Sequence, residues 1–280
     1  MNVPKGTQLT LSVLNINCGA PNGPVNVTIK PDNIGVPLLD NGVWPDQTAG
    51  DGIFSAEVVA SREGIYTLEF PNGDNWQANV IPAYTYKKDT FSWRTITGTN
   101  LNLSDDSTKA ISSPFPVRFG GGSYSTVYVD SNGKLNFVFP ESDFSNVQLP
   151  DPAQAYSRIA AVWWDDLRAI QNSDQNVFWE VIGTPPQREL VIEWRKVSRA
   201  SGCTDPTANV TFQVVLFEAS SDVLYQYAQT AFGGAAACAL GDHGAHGTVG
   251  IQLTWPAAAQ YSFDKPSLTD NLALRFTMVQ

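Results

Sequence analysis

The chain has 280 residues, enough for two hydrophobic cores, and its 17 basic against 27 acidic side chains give a net charge of −10. That balance repels nucleic acid and anionic lipid headgroups, so polyanion recognition is excluded from the expected functions. Apolar runs such as Ile159 to Trp164 are far shorter than the roughly 18 residues that cross a bilayer, and no Lys/Arg-led apolar segment opens the chain; no membrane insertion is expected, and any export signal is expected outside these residues.

From residue 1 to about residue 82 the pattern alternates at a spacing of two, the period of a half-buried strand. Leu9, Leu11 and Val13 come first, then Val25, Val27 and Ile29, then Phe54, Ala56 and Val58, then Tyr66, Leu68 and Phe70, and last Trp76 to Ile81. Clusters of Gly, Pro, Asn and Asp separate these runs. About six short strands in this space predict a small Ig-like sandwich. The stretch from Pro31 to Ser61 carries Asp32, Asp40, Asp46, Asp51 and Glu57 without a Lys or Arg. Asp40, Asp46 and Asp51 are the candidate ligands of a structural Ca²⁺, a hard cation that would relieve the repulsion of clustered carboxylates. The competing reading is that these side chains cap turns through nearby backbone N–H groups, with Gly50 and Gly52 at positive φ.

The segment from Pro82 to Asp89 has little apolar period and carries Lys87-Lys88-Asp89, so the boundary is placed there, giving domains 1–84 and 85–280. Beyond it, Val127 and Val129 alternate into Ser131-Asn132-Gly133, and Leu135, Phe137 and Phe139 alternate on the way back, which predicts a hairpin. Further strands are expected at 159–164, 177–182, 190–196, 210–218, 223–227, 248–255 and 272–277, with one helical turn near Ala153 to Tyr156. In the 190–196 run, Leu190, Ile192 and Trp194 are expected to face inward while Glu193, Arg195 and Lys196 meet water. The fold class is therefore all-β: two tandem antiparallel sandwiches, the second the larger.

Cys203 and Cys238 flank the hairpin predicted between Val210 and Tyr227 and lie in Gly/Ala/Ser/Asp loops, so a disulfide is expected between them, tying the hairpin's ends. Cys18 has no evident partner and is read as a small buried side chain.

Five ordered motifs in the second half carry a resemblance. They are Phe115-Pro116-Val117-Arg118-Phe119-Gly120-Gly121-Gly122 with its hairpin, Ile159 to Leu167, Leu190-Val191-Ile192-Glu193-Trp194, Val210 to Glu218, and Thr248-Val249-Gly250-Ile251-Gln252. Together, over residues 113 to 277, they resemble the nidogen-like sandwich module of secreted bacterial proteins. Leu39 to Ser55 is similar to the aspartate-rich loop of an Ig-like domain of exported bacterial proteins. The resemblance implies a secreted or cell-surface setting, as an accessory region following a subtilisin-type peptidase or as part of a surface adhesin.

Catalytic arrangements find little support. Asp165 and Asp166 are a carboxylate pair, but neighbours on a strand face opposite sides and cannot flank one glycosidic bond. Asp242, His243 and His246 offer at most three zinc ligands in a Gly-rich loop, and no Gly-x-Ser-x-Gly elbow is present. Trp93, Trp163, Trp164, Trp179, Trp194 and Trp255 crowd the second half. Adjacent Trp163 and Trp164 cannot share one core, so Trp164 is the candidate exposed ring for ligand contact. The expected function is a non-catalytic secreted or surface module for adhesion, ligand engagement or spacing. Its expected partner is an extracellular protein or glycan; a further option is a subunit of an extracellular filament or surface layer that self-associates through sheet edges.

Overall fold

The computed structural model describes residues 1–154, 157–205 and 207–280. The protein is all-β, and its strands form antiparallel sheets apart from one parallel pair in the first unit. The chain divides into two compact units, Met1–Pro82 with Val279–Gln280, and Ala83–Met278.

In the first unit the strands are β1 (Asn2–Pro4), β2 (Gln8–Leu14), β3 (Ile16–Asn17), β4 (Ala20–Pro21), β5 (Val25–Lys30), β6 (Ile34–Leu38), β7 (Ile53–Val59), β8 (Gly64–Glu69) and β9 (Asn75–Ile81). One sheet of five strands runs β1-β9-β8-β5-β6, with β1 parallel to β9; β2 and β7 form a separate ribbon, and β3 and β4 a short one. The alternating residues predicted to be buried are the ones that meet: Val25, Val27, Leu68, Ala78 and Val80 from the five-stranded sheet pack with Leu11 and Phe54 from the ribbon. Cys18 is exposed, not buried as expected, because it occupies a left-handed position (φ +50°) in the tight turn between β3 and β4.

The second unit contributes β10 (Tyr84–Asp89), β11 (Thr99–Asn100), β12 (Thr108–Phe119), β13 (Gly122–Asp130), β14 (Lys134–Asn136), β15 (Ile159–Trp164), β16 (Leu167–Arg168), β17 (Asn176–Ile182), β18 (Glu189–Arg199), β19 (Val210–Phe217), β20 (Val223–Gln229), β21 (Thr248–Thr254), β22 (Ala257–Phe263) and β23 (Leu272–Met278), with a short helix α1 (Ala236–Ala239). The larger sheet runs β10-β23-β20-β19-β18-β17-β11, with β16 attached to β18, and the smaller runs β12-β13-β14-β15-β21-β22. Residues read as a featureless boundary thus form β10, a full partner of β23. Its period-two signal is Tyr84 and Tyr86, the first buried and the second packed on Phe276 and Tyr261. At the expected helical turn Pro152–Gln154 form a 3-10 turn, while Ala155 and Tyr156 lie outside the described residues.

Polar aromatic tips join the two sheets of this unit. Tyr225 Oη donates to Gly250 O at 3.0 Å, Tyr227 Oη to Val162 O at 2.6 Å and Trp194 Nε1 to Asp130 O at 2.9 Å. Each ring fills the core while its one polar atom reaches the opposite sheet's backbone.

The outer faces are covered as well, which corrects the expectation that Glu193 meets water, while Arg195 is half-buried and Lys196 exposed. Leu190 to Trp194 are all buried, Glu193 included. The extended segment before β11 lies over the larger sheet, packing Phe91 and Ile96 on Phe178, Val191, Val215 and Leu224. Buried Gln213 and Gln226 serve that cover by bonding the backbone of Arg94 and Ser92. A second strap, around residues 141–151, covers the smaller sheet, with Leu149 and Val147 on Ile159, Ala161 and Trp164.

Candidate functional site

Trp164 offers no face to a ligand. The alternation argument is right that Trp163 and Trp164 cannot share one core, but the smaller sheet has two. Trp163 points between the sheets onto Phe212, Tyr227 and Phe232, whereas Trp164 points outward beneath the strap. There its Nε1 donates to Asp143 O at 2.9 Å and its face meets the Lys134 ammonium at 4.0 Å. An exposed ring at this position is thereby corrected to a fully buried one.

The exposed tryptophans lie elsewhere. Trp76, the second residue of β9, lies directly opposite Leu68 of β8, so the two share the face that the first unit turns toward its core. Leu68 is buried, yet Trp76 is 53% exposed. Between β2 and that end of the sheet lies a groove of about 680 Å³. Leu14, Leu68, Phe70 and Trp76 supply its apolar lining, and Thr10, Asn15, Asn72 and Asp74 supply polar groups. A concave apolar lining with a few polar groups is the usual form of a small-ligand site. The alternation of residues 76–81 puts Trp76 on a strand without marking it as exposed. The signal was its position directly after the turn-forming Pro71 to Asn75, where a strand end escapes its cover.

Trp44, at 72% exposure, stands on the aspartate-rich loop with Nε1 donating to Glu57 Oε1 at 3.0 Å. In that loop one carboxylate oxygen each from Asp40, Asp46 and Asp51 lies within 4.8 Å of the others. All three carboxylates also accept backbone N–H groups. Asp40 takes Gly50 at 2.5 Å and Gly52 at 2.9 Å, Asp46 takes Asn41 at 2.6 Å and Gly42 at 2.5 Å, and Asp51 takes Ile53 at 2.9 Å. The amide of Gly42 above all holds the Asp46 carboxyl below the usual carboxylate range.

The other constellations are structural in form. Asp165 is buried while Asp166 is half-buried, and the Asp166 N–H donates to Asp165 Oδ1 at 2.8 Å, so the pair caps a turn. His243 Nδ1 lies 3.0 Å from Thr230 Oγ1, and Asp242 Oδ1 accepts the Phe232 N–H at 2.7 Å. Among the described residues the group of acidic or metal-ligating side chains close enough to hold an ion is the Asp40, Asp46 and Asp51 set, and no histidine belongs to it. Cys203 and Cys238 are bonded to each other.

Burial pushes the Asp165 carboxyl up to about 6, against the opposing pull of Arg199 and His246. Burial, then Asp106 and Asp105, raise Asp166 as well, against Arg199 and Arg168. An acid with its folded pKa raised binds more protons folded than unfolded, so stability falls as pH rises from the unfolded value of about 4 toward 6. Asp165→Asn is expected to flatten that decline in a series of urea midpoints from pH 4 to 7; an unchanged slope rejects the assignment.

The family described as NIDO related matches residues 83–276, well over half of the chain. The protein belongs to the NIDO-related family. The family's domain is a typically non-enzymatic module of extracellular type, and here it coincides with the two-sheet second unit. The disulfide fits that setting, because such bonds persist in oxidising compartments. No curated protein and no solved structure matched the chain.

Proposed function

We propose that this NIDO-related protein is a secreted or surface ligand-engagement module that binds a glycan in the groove of its first unit, an Ig-like sandwich in this reading. The observation that carries it is the Trp76 ring, left half uncovered over an apolar groove with Thr10, Asn15, Asn72 and Asp74 around it. A flat ring stacks on a sugar's C–H face while amide and carboxylate groups meet its hydroxyls. The NIDO-related unit then serves as a rigid support, its sheets buried on both faces. Such a module acts as an accessory region of a secreted enzyme or as part of a surface adhesin.

A glycan and matrix-protein array tests this. Binding to glycan features is expected, lost at least tenfold in Trp76→Ala and retained in Trp44→Ala; a silent array, or binding confined to proteins, rejects it. The meeting of Asp40, Asp46 and Asp51 supports a second reading, structural Ca²⁺ in the acidic loop, where hard carboxylate oxygens are the right donors. The backbone amides compete for the same oxygens. A chelator that lowers the melting temperature of the first unit supports the ion, and an unmoved temperature leaves the amides as sole partners.

A further inference from the structure

Lys134 follows the Ser131-Asn132-Gly133 turn and is only 2% exposed, an unusual place for an ammonium group. Its Nζ lies 3.1 Å from Glu141 Oε1, 3.5 Å from Asp130 Oδ2, 3.0 Å from Asp143 O and 4.0 Å from the centre of the Trp164 ring. Asp130 is equally buried. Its Oδ1 is held by the Lys134 backbone N–H at 2.8 Å, which turns Oδ2 toward Nζ. Glu141 is fixed in turn by Asn136 Nδ2, 3.2 Å from Oε2, and leaves Oε1 for the lysine. One cation thus faces two carboxylates, Asp130 buried with it and Glu141 reaching the surface at one edge. Burial pushes the Asp130 carboxyl up to about 7, with Glu141 adding to the rise and Lys134 opposing it. That rise favours the neutral acid, and a neutral carboxyl is the form an amine can attack.

We propose that Lys134 and Asp130 condense into an intramolecular amide bond, with Glu141 as the catalytic residue that moves the protons. The Glu141 carboxylate takes a proton from the Nζ ammonium. The freed lone pair attacks Cγ of protonated Asp130 and forms the C–N bond. A second proton passes from nitrogen, through Glu141, to the departing hydroxyl, which leaves as water. The nitrogen keeps one hydrogen, Glu141 ends protonated and returns its proton to solvent through its partly exposed carboxyl. No oxidant or co-reactant is required. Proximity supplies the driving geometry, since the reacting groups are fixed by the turn and the strap in a site that excludes the water needed for reversal. The product replaces two buried charges by one neutral amide and closes the β13–β14 hairpin covalently.

Mass spectrometry of the denatured, reduced wild-type chain decides it. The expected mass is one water below that of the sequence. Trypsin is expected to skip Lys134 and release Phe119 to Arg158 as one peptide, also lighter by one water. Lys134→Arg, and Glu141→Gln with both reacting groups intact, are expected at full mass. A wild-type chain of full mass overturns the proposal, whether or not the variants fold. So does cleavage after Lys134 with the water lost elsewhere, as from a cyclic imide at another aspartate. Water loss retained in Glu141→Gln overturns the role given to Glu141.

Discussion

Replacing Cys203 and Cys238 together by alanine is expected to lower the stability of the NIDO-related unit by about 4 kcal/mol. The two cysteines are separated by 35 residues in sequence, and closing a loop of that size removes roughly this much chain entropy from the unfolded state. For a unit of this size the loss corresponds to a fall in melting temperature of about 8 to 16 °C. The bond does local work too. Phe232, between β20 and α1, packs edge-on against Trp163 at 5.7 Å, and a Cβ added at Gly241 would meet Arg199 Cδ at 2.6 Å. The loop carrying Cys238 therefore seals one end of the core against Trp163. Calorimetry and tryptophan emission, measured in a Cys18→Ser background to prevent cross-linking through the exposed thiol, check both statements. A lower transition with red-shifted emission is expected; a transition within about 2 °C of the parent would show that native packing alone holds the loop.

Much of this architecture was legible because strand alternation is a local signal. The hairpin from Val127 through Ser131-Asn132-Gly133 to Leu135, the hairpin of β19 and β20, and the buried side chains of the first unit all follow from spacing and turn residues. What failed was the assumption of one covered face per sheet. Nothing in Leu190-Val191-Ile192-Glu193-Trp194 announces that Phe91 and Ile96, about a hundred residues earlier, lie over its outer face. The same strap logic hides Trp164. Glu193 reads as exposed in isolation, but is half of a bidentate pair with Arg195, at 2.7 and 3.1 Å, sealed under that cover. The convergence of Asp40, Asp46 and Asp51 was visible as a charge imbalance, whereas the amides that share their oxygens belong to backbone geometry that composition does not encode. Lys134 is the clearest instance. Its burial depends on Glu141 and Trp164 arriving from the strap and from β15, and a lone lysine after a turn carries no mark of either.

Gly133→Ala is expected to cost more than about 4 kcal/mol and to leave the NIDO-related unit largely unfolded at 37 °C. Gly133 adopts φ +81°, which alone disfavours a side chain. The decisive term is contact, because a Cβ there would lie 1.9 Å from the Trp163 carbonyl oxygen and 2.7 Å from its carbon. Backbone cannot swing aside as a flexible side chain would. Moving Gly133 also breaks what its own carbonyl holds, the N–H groups of Val162 at 3.0 Å and Trp163 at 3.2 Å. The adjoining Asn132 is fully buried and ties three segments together. Its Oδ1 accepts from Leu167 N at 3.0 Å, and its Nδ2 donates to Asp106 Oδ1 at 2.9 Å and Ser142 O at 3.2 Å. A shift at the turn therefore leaves several buried polar groups unpaired at once, each costing about 1 to 3 kcal/mol. Gly202→Ala isolates the backbone component, since Gly202 has φ +71° and nothing within 4 Å of an added Cβ. Its expected cost is about 1 kcal/mol. Urea unfolding of the two variants beside the parent makes the comparison. Equal losses would place the whole effect in the left-handed backbone and remove close approach at the turn as the reason glycine is required there.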